Sequence, residues 1–384
     1  MLLDEFLSEW KNGESCLTVH TSGSTGKPKA MLVEKERMLH SAKTTCDFLG
    51  LTAGDTALLC MNLDYIGAKM MVVRSLERGM KLVAVPPMGH PYAGLPAEYR
   101  ELGRITFAAM VPLQVYNSLQ VAEEADWLRS INHLIIGGAA VDGQLARHLR
   151  TFPNHVWSTY GMTETLSHIA LRQLNGPDAS EWYRPFDTVE ISKNAEGCLV
   201  INAPMIHDGA LVTNDMVEIC PTKGFRILGR KDNVIVSGGV KIQIEEVEKM
   251  LRPFLAKPFL ISKAPSEKFG EEVVLLTEDT DMAEVSEICM NALPKYWVPR
   301  KYVHVDKIPL TETGKPARFN SQFIIHNSLM HYTTHTRRMS SASFISFSVA
   351  VWLIRMSPMS PKSVKLMMPA VFFLSCIISE MSSG

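Results

Sequence analysis

The chain has 384 residues, with 39 lysines and arginines against 40 aspartates and glutamates, so its net charge of −1 offers no electrostatic footprint for nucleic acid. Its seven cysteines, Cys16, Cys46, Cys60, Cys198, Cys220, Cys289 and Cys376, are dispersed without a Cys-x-x-Cys pair, which argues against a disulfide framework and against a zinc site. The opening Met1-Leu2-Leu3-Asp4-Glu5-Phe6 puts acid where a secretory leader needs positive charge, and a cytoplasmic enzyme is expected.

In chain order, Cys16-Leu17-Thr18-Val19 reads as a short strand and residues 31–49 as a helix. Between them lies His20-Thr21-Ser22-Gly23-Ser24-Thr25-Gly26-Lys27-Pro28-Lys29, expected at a strand-to-helix turn. Glycines let backbone approach an anion closely, while hydroxyls, amides and lysine supply donors and charge, so this composition suits phosphate. Its spacing is not that of a Walker A loop. Short apolar runs at 56–60, 81–85, 106–110, 133–136 and 156–159 alternate with amphipathic stretches such as 66–77, the pattern of α/β layering on a largely parallel sheet. After Trp182 the pattern turns to strands, including 199–202 and 216–219. From Gly229 a smaller α+β unit follows, with a hairpin at 233–242, helices at 245–251 and 282–293, and a strand at 272–277.

Five further segments stand in a fixed order behind the loop. They are Ile135-Ile136-Gly137-Gly138-Ala139-Ala140, then Tyr160-Gly161-Met162-Thr163-Glu164-Thr165, then Thr213-Asn214-Asp215, and then Gly229-Arg230-Lys231-Asp232-Asn233 with Ser237-Gly238-Gly239; Thr313-Gly314-Lys315 closes the series. Together they resemble the signatures of the adenylate-forming enzymes, the acyl-CoA synthetases and their relatives, from about Thr18 to Phe319. The Asn214 position departs from the family's usual Thr-Gly-Asp. The resemblance implies an α/β fold with a large AMP-binding N-terminal domain, here 1–228 and shortened at its start, and a small, mobile α+β C-terminal domain at 229–322.

It also implies a chemistry: a carboxylate attacks the α-phosphate of ATP, pyrophosphate leaves, and a thiol then takes the acyl group. By resemblance, Thr21, Ser22, Gly23, Ser24, Thr25, Gly26 and Lys27 would hold the β- and γ-phosphates, and Glu164 would ligate Mg2+. Thr163 would donate to the α-phosphate, and Lys315 would neutralise charge at the attacking carboxylate. Gly138, Ala139 and Tyr160 would sandwich adenine, and Asp215 with Arg230 would hold the ribose. Asp232 would be the hinge, and Gly238 and Gly239 would line the CoA arm's path, although Ser237-Gly238-Gly239 reads equally well as a plain hairpin turn.

Only Met1–Leu17 precedes the loop region, where ordinary members of the family carry a whole subdomain, and such compactness resembles the o-succinylbenzoate:CoA ligases of menaquinone synthesis. In that comparison Arg74, which follows the apolar helix 66–73, would bind the second carboxylate of a dicarboxylic acid; the alternative is an arginine flanking a helix at the surface. The expected partners are a small carboxylic acid, ATP and CoA, with no nucleic acid and no membrane span. A carrier-protein thiol as acceptor, a non-catalytic relative and a homodimer all stay open. Residues 323–384 hold one acid, Glu380, and two short apolar runs, and are expected to lie outside the enzyme's fold.

Overall fold

A computed structural model describes residues 1–20, 29–141, 143–310 and Arg318. All of these belong to one compact unit, Met1–Phe319. The segment 323–384 lies outside the described residues.

The largest sheet has seven strands in the order β4-β3-β5-β6-β7-β8-β9. Strands β3 (Thr56–Leu59), β4 (Lys81–Ala84), β5 (Phe107–Met110), β6 (His133–Ile136) and β7 (His155–Met162) run parallel; β8 (Ser167–Gln173) and β9 (Arg184–Pro185) are antiparallel additions. The parallel strands read as unbroken apolar runs because both of their faces are covered. Ala57, Leu59, Phe107 and Ala109 enter one core, while Leu58, Cys60, Ala108 and Met110 enter another on the opposite face. The helices α1 (Leu3–Lys11), α2 (Lys35–Leu49) and α3 (Ile66–Arg78) supply Phe6, Met38, Ala42, Met70 and Val73 to the first core. After the one-turn helix α4 (Ala97–Arg100), helices α5 (Pro112–Leu119), α6 (Ala122–Ser130) and α7 (Gly143–Leu149) cover the second with Val115, Trp127, Leu128 and Leu145.

Strands β1 (Cys16–His20) and β2 (Ala30–Glu34) pair antiparallel, from Cys16↔Glu34 to His20↔Ala30. This corrects the expected strand-to-helix turn: the flanks of the candidate phosphate loop are two hairpin strands, and α2 begins only at Lys35. A four-stranded antiparallel sheet of β10 (Glu190–Lys193), β11 (Cys198–Asn202), β12 (Ala210–Cys220) and β13 (Gly224–Arg230) extends the first core through Leu199, Val217 and Phe225.

Downstream, β14 (Val234–Ser237), β15 (Val240–Gln243), β16 (Phe259–Ser266), β17 (Gly270–Thr277) and β18 (Lys301–His304) form a five-stranded sheet. Helices α8 (Ile244–Leu251) and α9 (Met282–Ala292) close a core of their own over it, with Ile235, Ile242, Val247, Leu275 and Val285. The N-terminus of α9 is capped by Asp281, whose carboxylate accepts from the amides of Ala283 and Glu284 at 3.1 and 3.0 Å. Arg318 forks onto both Glu248 carboxylate oxygens at 3.0 Å and donates to the Ile261 carbonyl at 2.6 Å.

On the parallel sheet, His133 and His155 face each other across β6 and β7 with rings 5.1 Å apart and 14° from parallel. Burial, followed by the neighbouring His155, pulls His133 down to about 4 from its ordinary value. The unfolded chain therefore binds a proton at this residue from about pH 6.5 downward while the folded one resists it, so stability falls as pH drops from 6.5 toward 4. His133→Phe keeps the stacked ring and removes the titration. Urea midpoints at pH 7 and pH 4.5 should fall less for the variant than for the wild type; equal falls would assign acid sensitivity to other groups.

Candidate active site

In open α/β sheets, ligand-binding groups collect beyond the carboxyl ends of the parallel strands. Two of the sequence motifs stand there on neighbouring strands. β6 ends at Ile136 and runs into Gly137-Gly138-Ala139; β7 carries Tyr160 and ends at Met162, just before Thr163 and Glu164. Gly137 lies against the Thr159 side chain, so the glycine turn follows β7 toward Tyr160.

The Tyr160 ring packs edge-on to Phe225 at 5.1 Å, and its hydroxyl donates to Asp215 at 2.6 Å. Burial, followed by the Asp215 charge, pushes that phenol well above its ordinary value, so it remains a donor. Asp215 sits opposite Arg230 in the β12–β13 register, and Arg230 Nη1 donates to its other carboxylate oxygen at 3.1 Å. Arg230 Nη2 reaches Asp232 at 3.0 Å, and Asn214 donates to the same carboxylate at 3.1 Å. Burial opposes the Arg230 charge, but Asp215 and Asp232 outweigh it and raise its pKa. Tyr160, Asp215, Arg230 and Asp232 thus form one connected group. Each Asp215 oxygen has a second lone pair, which leaves room for a diol.

Between β7 and β8 the chain reverses through a tight turn, Thr163–Thr165, followed by Leu166 at φ 60°, the one non-glycine residue at positive φ among the described residues. The Thr165 hydroxyl bridges the turn, its oxygen 3.1 and 2.7 Å from the carbonyls of Met162 and Ser167, the shorter contact taking its one proton. Thr163 is buried and Glu164 half-buried at the tip. Among the described residues no cluster of three histidines, cysteines or carboxylates could hold a metal. The donor set instead fits a hard cation held by one carboxylate and nucleotide oxygens, with Glu164 as the carboxylate.

Arg74 is only 1% exposed, which removes the reading of an arginine flanking a helix at the surface. Its Nη2 donates to Ser167 Oγ at 3.0 Å, its Nε has no partner, and among the described residues no carboxylate pairs with it. Burial pulls the guanidinium down to about 10 from its ordinary value. Beside it, burial raises the Cys46 thiol to about 11, keeping it neutral. A buried cation without its anion is costly, and among the described residues Arg74 has none.

Gly238 and Gly239 form the two-residue turn between β14 and β15 at φ 57° and 84°, which matches a hairpin turn requiring glycine-like backbone at both positions. The Gly238 amide donates to the Phe269 carbonyl at 2.9 Å. The hairpin reading therefore accounts for both glycines. Thr21, Ser22, Gly23, Ser24, Thr25, Gly26, Lys27 and Lys315 lie outside the described residues.

Three residues that the motifs did not mark stand beside Arg74: Ser167, His168 and Thr45. His168 is fully buried and hydrogen-bonded to Thr45 at 3.0 Å. The available signal was a polar pair, Ser167-His168, interrupting the approach to the apolar run Ile169-Ala170-Leu171 directly after the second motif.

Residues 5–197 match the model of the AMP-binding enzyme family. The chain is 24% identical over 347 residues to the 2-succinylbenzoate–CoA ligase of Bacillus mycoides, covering 82% of this chain and 71% of that one. A solved structure of an AMP-forming acyl-CoA synthetase/AMP-acid ligase II-like protein from Dyadobacter fermentans is 32% identical, with 83% of this chain and 92% of that one covered and a TM-score of 0.56. The o-succinylbenzoate coenzyme A synthetase of Bacillus subtilis, solved with ATP and magnesium ion, shares the fold at 22% identity and a TM-score of 0.65, over 78% of this chain and 68% of that one.

The β7–β8 reversal depends on Gly161, where an added Cβ would collide with the Ser167 carbonyl oxygen and the His168 Cα, both backbone atoms that cannot step aside. Gly161→Ala should destabilise the protein by about 3 kcal/mol or more, as backbone clashes in packed sheets do. Chemical denaturation checks this, and a midpoint within error of the wild type would show that the strands can part without cost.

Proposed function

Because the chain belongs to the AMP-binding enzyme family, the adenylate-forming acid–CoA ligases, we propose that it converts o-succinylbenzoate to its CoA thioester through an acyl-adenylate. The observation that carries the substrate assignment is Arg74: a fully buried guanidinium with no carboxylate partner among the described residues, bonded to Ser167, which pairs with Met162 on the strand that carries Tyr160. A second carboxylate on the acid completes that site. The names of the Bacillus mycoides and Bacillus subtilis relatives agree with this substrate.

In this reading a carboxylate oxygen attacks the α-phosphorus, the bond to pyrophosphate breaks, and the CoA sulfur then attacks the acyl carbon with AMP as leaving group. Asp215 and Arg230 grip the ribose, with Tyr160 held by Asp215 so that its ring is presented to adenine beside Gly138 and Ala139. Thr163 donates to the α-phosphate. Magnesium, when bound through Glu164 and phosphate oxygens, supplies charge neutralisation on the polyphosphate. Residues 21–27 cradle the β- and γ-phosphates, and Lys315 stabilises the charge that builds during adenylation.

The division at 228/229, with 229–322 turning about Asp232, belongs to the same proposal. It gives Lys315 access during one half-reaction and the pantetheine arm a path past Gly238 and Gly239 during the other. Lys315→Ala should lower acyl-adenylate formation about 10²–10³-fold while sparing thiol attack on supplied acyl-adenylate, as the loss of one preorganised donor does. Quench-flow measurement of each half-reaction checks it; equal loss in both would overturn the lysine's role and the two-orientation scheme.

The substrate is tested by pyrophosphate release across carboxylic acids, with and without CoA. Dicarboxylic o-succinylbenzoate should exceed its monocarboxylic analogues by more than tenfold in kcat/KM, about 2 kcal/mol. Arg74→Ala should erase that preference through KM for the acid and leave KM for ATP unchanged. A wild-type preference for simple benzoates or fatty acids would refute the dicarboxylate assignment.

A further inference from the structure

Behind Arg74 runs a line of hydrogen bonds that neither half-reaction uses. Arg74 Nη2 donates to Ser167 Oγ at 3.0 Å; Ser167 Oγ lies 3.3 Å from His168 Nδ1; His168 Nε2 lies 3.0 Å from Thr45 Oγ1; and Thr45 Oγ1 donates to the Ser41 carbonyl at 3.1 Å. The line joins α3, β8 and α2, and its direction depends on where the Thr45 proton goes.

The one Thr45 hydroxyl proton has two acceptors in reach, the Ser41 carbonyl and His168 Nε2; the proposed assignment gives it to Ser41, so that toward His168 Thr45 only accepts. His168 Nε2 must therefore carry a hydrogen. The ring is fully buried and faces the Arg74 charge, and both effects, burial first, hold it neutral far below its ordinary pKa. A neutral imidazole has one N–H, so Nδ1 is bare and accepts the Ser167 hydroxyl proton. Ser167 then has no proton for anything else, and toward Arg74 it presents a lone pair.

We propose that His168 is a positioning residue for recognition of the acid: by taking the Ser167 proton it fixes the orientation of the Ser167 hydroxyl, whose lone pair then holds the Arg74 guanidinium in place and leaves its other N–H groups for a carboxylate. This rests on the reading of Arg74 as the acid-binding residue. It also states which group does not contact the acid as a donor: the Ser167 hydroxyl is committed to the imidazole. The opposite tautomer, with hydrogen on Nδ1, would turn the Ser167 proton free to reach a substrate and would disconnect Thr45 from the ring. The two arrangements thus differ in a single observable proton.

The first test uses the intact, ligand-free wild type labelled with 15N-histidine. Long-range 1H–15N spectra, with the His168 signals identified by their loss in His168→Asn, should show a neutral ring protonated on Nε2. A ring protonated on Nδ1, or a charged ring at pH 7, would overturn the proposal. The second test separates the ring's two ends. His168→Asn keeps an acceptor near the Nδ1 position and gives up Thr45, whereas His168→Gln reaches Thr45 and gives up Ser167.

With o-succinylbenzoate, His168→Asn should stay within about threefold of the wild-type KM for the acid. His168→Gln should raise that KM roughly tenfold, with kcat and KM for ATP unchanged, the loss expected when a hydrogen bond supporting a charged group is removed. Ser167→Ala should match His168→Gln, and the double variant should be no worse than either alone, because both interrupt one path. Equal effects of Asn and Gln, or losses that follow melting temperature alone, would make His168 a packing residue and refute the role. A wild type that activates no dicarboxylic acid would refute the proposed substrate instead; the tautomer, and the same KM comparison on whichever acid the screen finds, would still decide the relay.

Discussion

Everything near the site depends on the closeness with which β7 turns back into β8. Gly161 has no side chain, so the strand backbone lies directly against Ser167 and His168, and the chain must turn within Thr163–Thr165 and pass through Leu166 at φ 60°. A backbone held in a sparsely populated region at a functional turn is sustained by the structure around it. Here the Thr165 hydroxyl and the fully enclosed Leu166 side chain, 2% exposed, do that holding. The consequence is positional. Tyr160 enters the reversal toward Asp215, Thr163 and Glu164 stand at its tip, and Ser167 and His168 leave it toward α2 and α3. One hairpin thus carries residues proposed for nucleotide, metal and acid within nine positions of sequence.

The two sides of that hairpin handle charge in opposite ways. Around Asp215 on the nucleotide side the described ions have partners: Arg230 spans Asp215 and Asp232, and Asn214 and Tyr160 fill further acceptor positions. Such a network stays ordered without ligand. On the acid side Arg74 meets one neutral hydroxyl and no anion among the described residues. A compensated pair would be stabler and would have nothing left to bind a carboxylate with. Sites that keep a charge unpaired trade folding stability for recognition, and the surrounding core of Met70, Met71 and Val73, all fully buried, supplies the rigidity that tolerates it.

Much of this was legible in the sequence, for physical reasons that can be named. Parallel strands covered on both faces appear as continuous apolar runs, which is why β3 to β6 stand where those runs do. Tyr160, Asp215 and Arg230, which the structure joins in one group, were visible because the motifs that carry them hold particular residue types at short local spacings. The flanks of the phosphate loop were misjudged because residues 31–34 carry no strong period; Leu32 is exposed, and β2 exists through pairing with β1 rather than through burial. β16 and β18 went unseen for a related reason, since their strand character is completed by β17 lying between them.

The acid side shows where local reading ends. His168 and Thr45 are 123 residues apart, and neither belongs to a motif. In the sequence His168 is one histidine leading into a strand, and Thr45 one threonine on an amphipathic helix. Only when α2, α3 and β8 meet do a hydroxyl, an imidazole, a second hydroxyl and a carbonyl fall into one line. That order is a property of tertiary packing: a two-nitrogen ring can be protonated at either end, and in the proposed relay the choice is made by a threonine that gives its own proton to its helix. In that relay, whether Ser167 keeps a free proton beside Arg74 is decided at the far end of the line, at the Ser41 carbonyl.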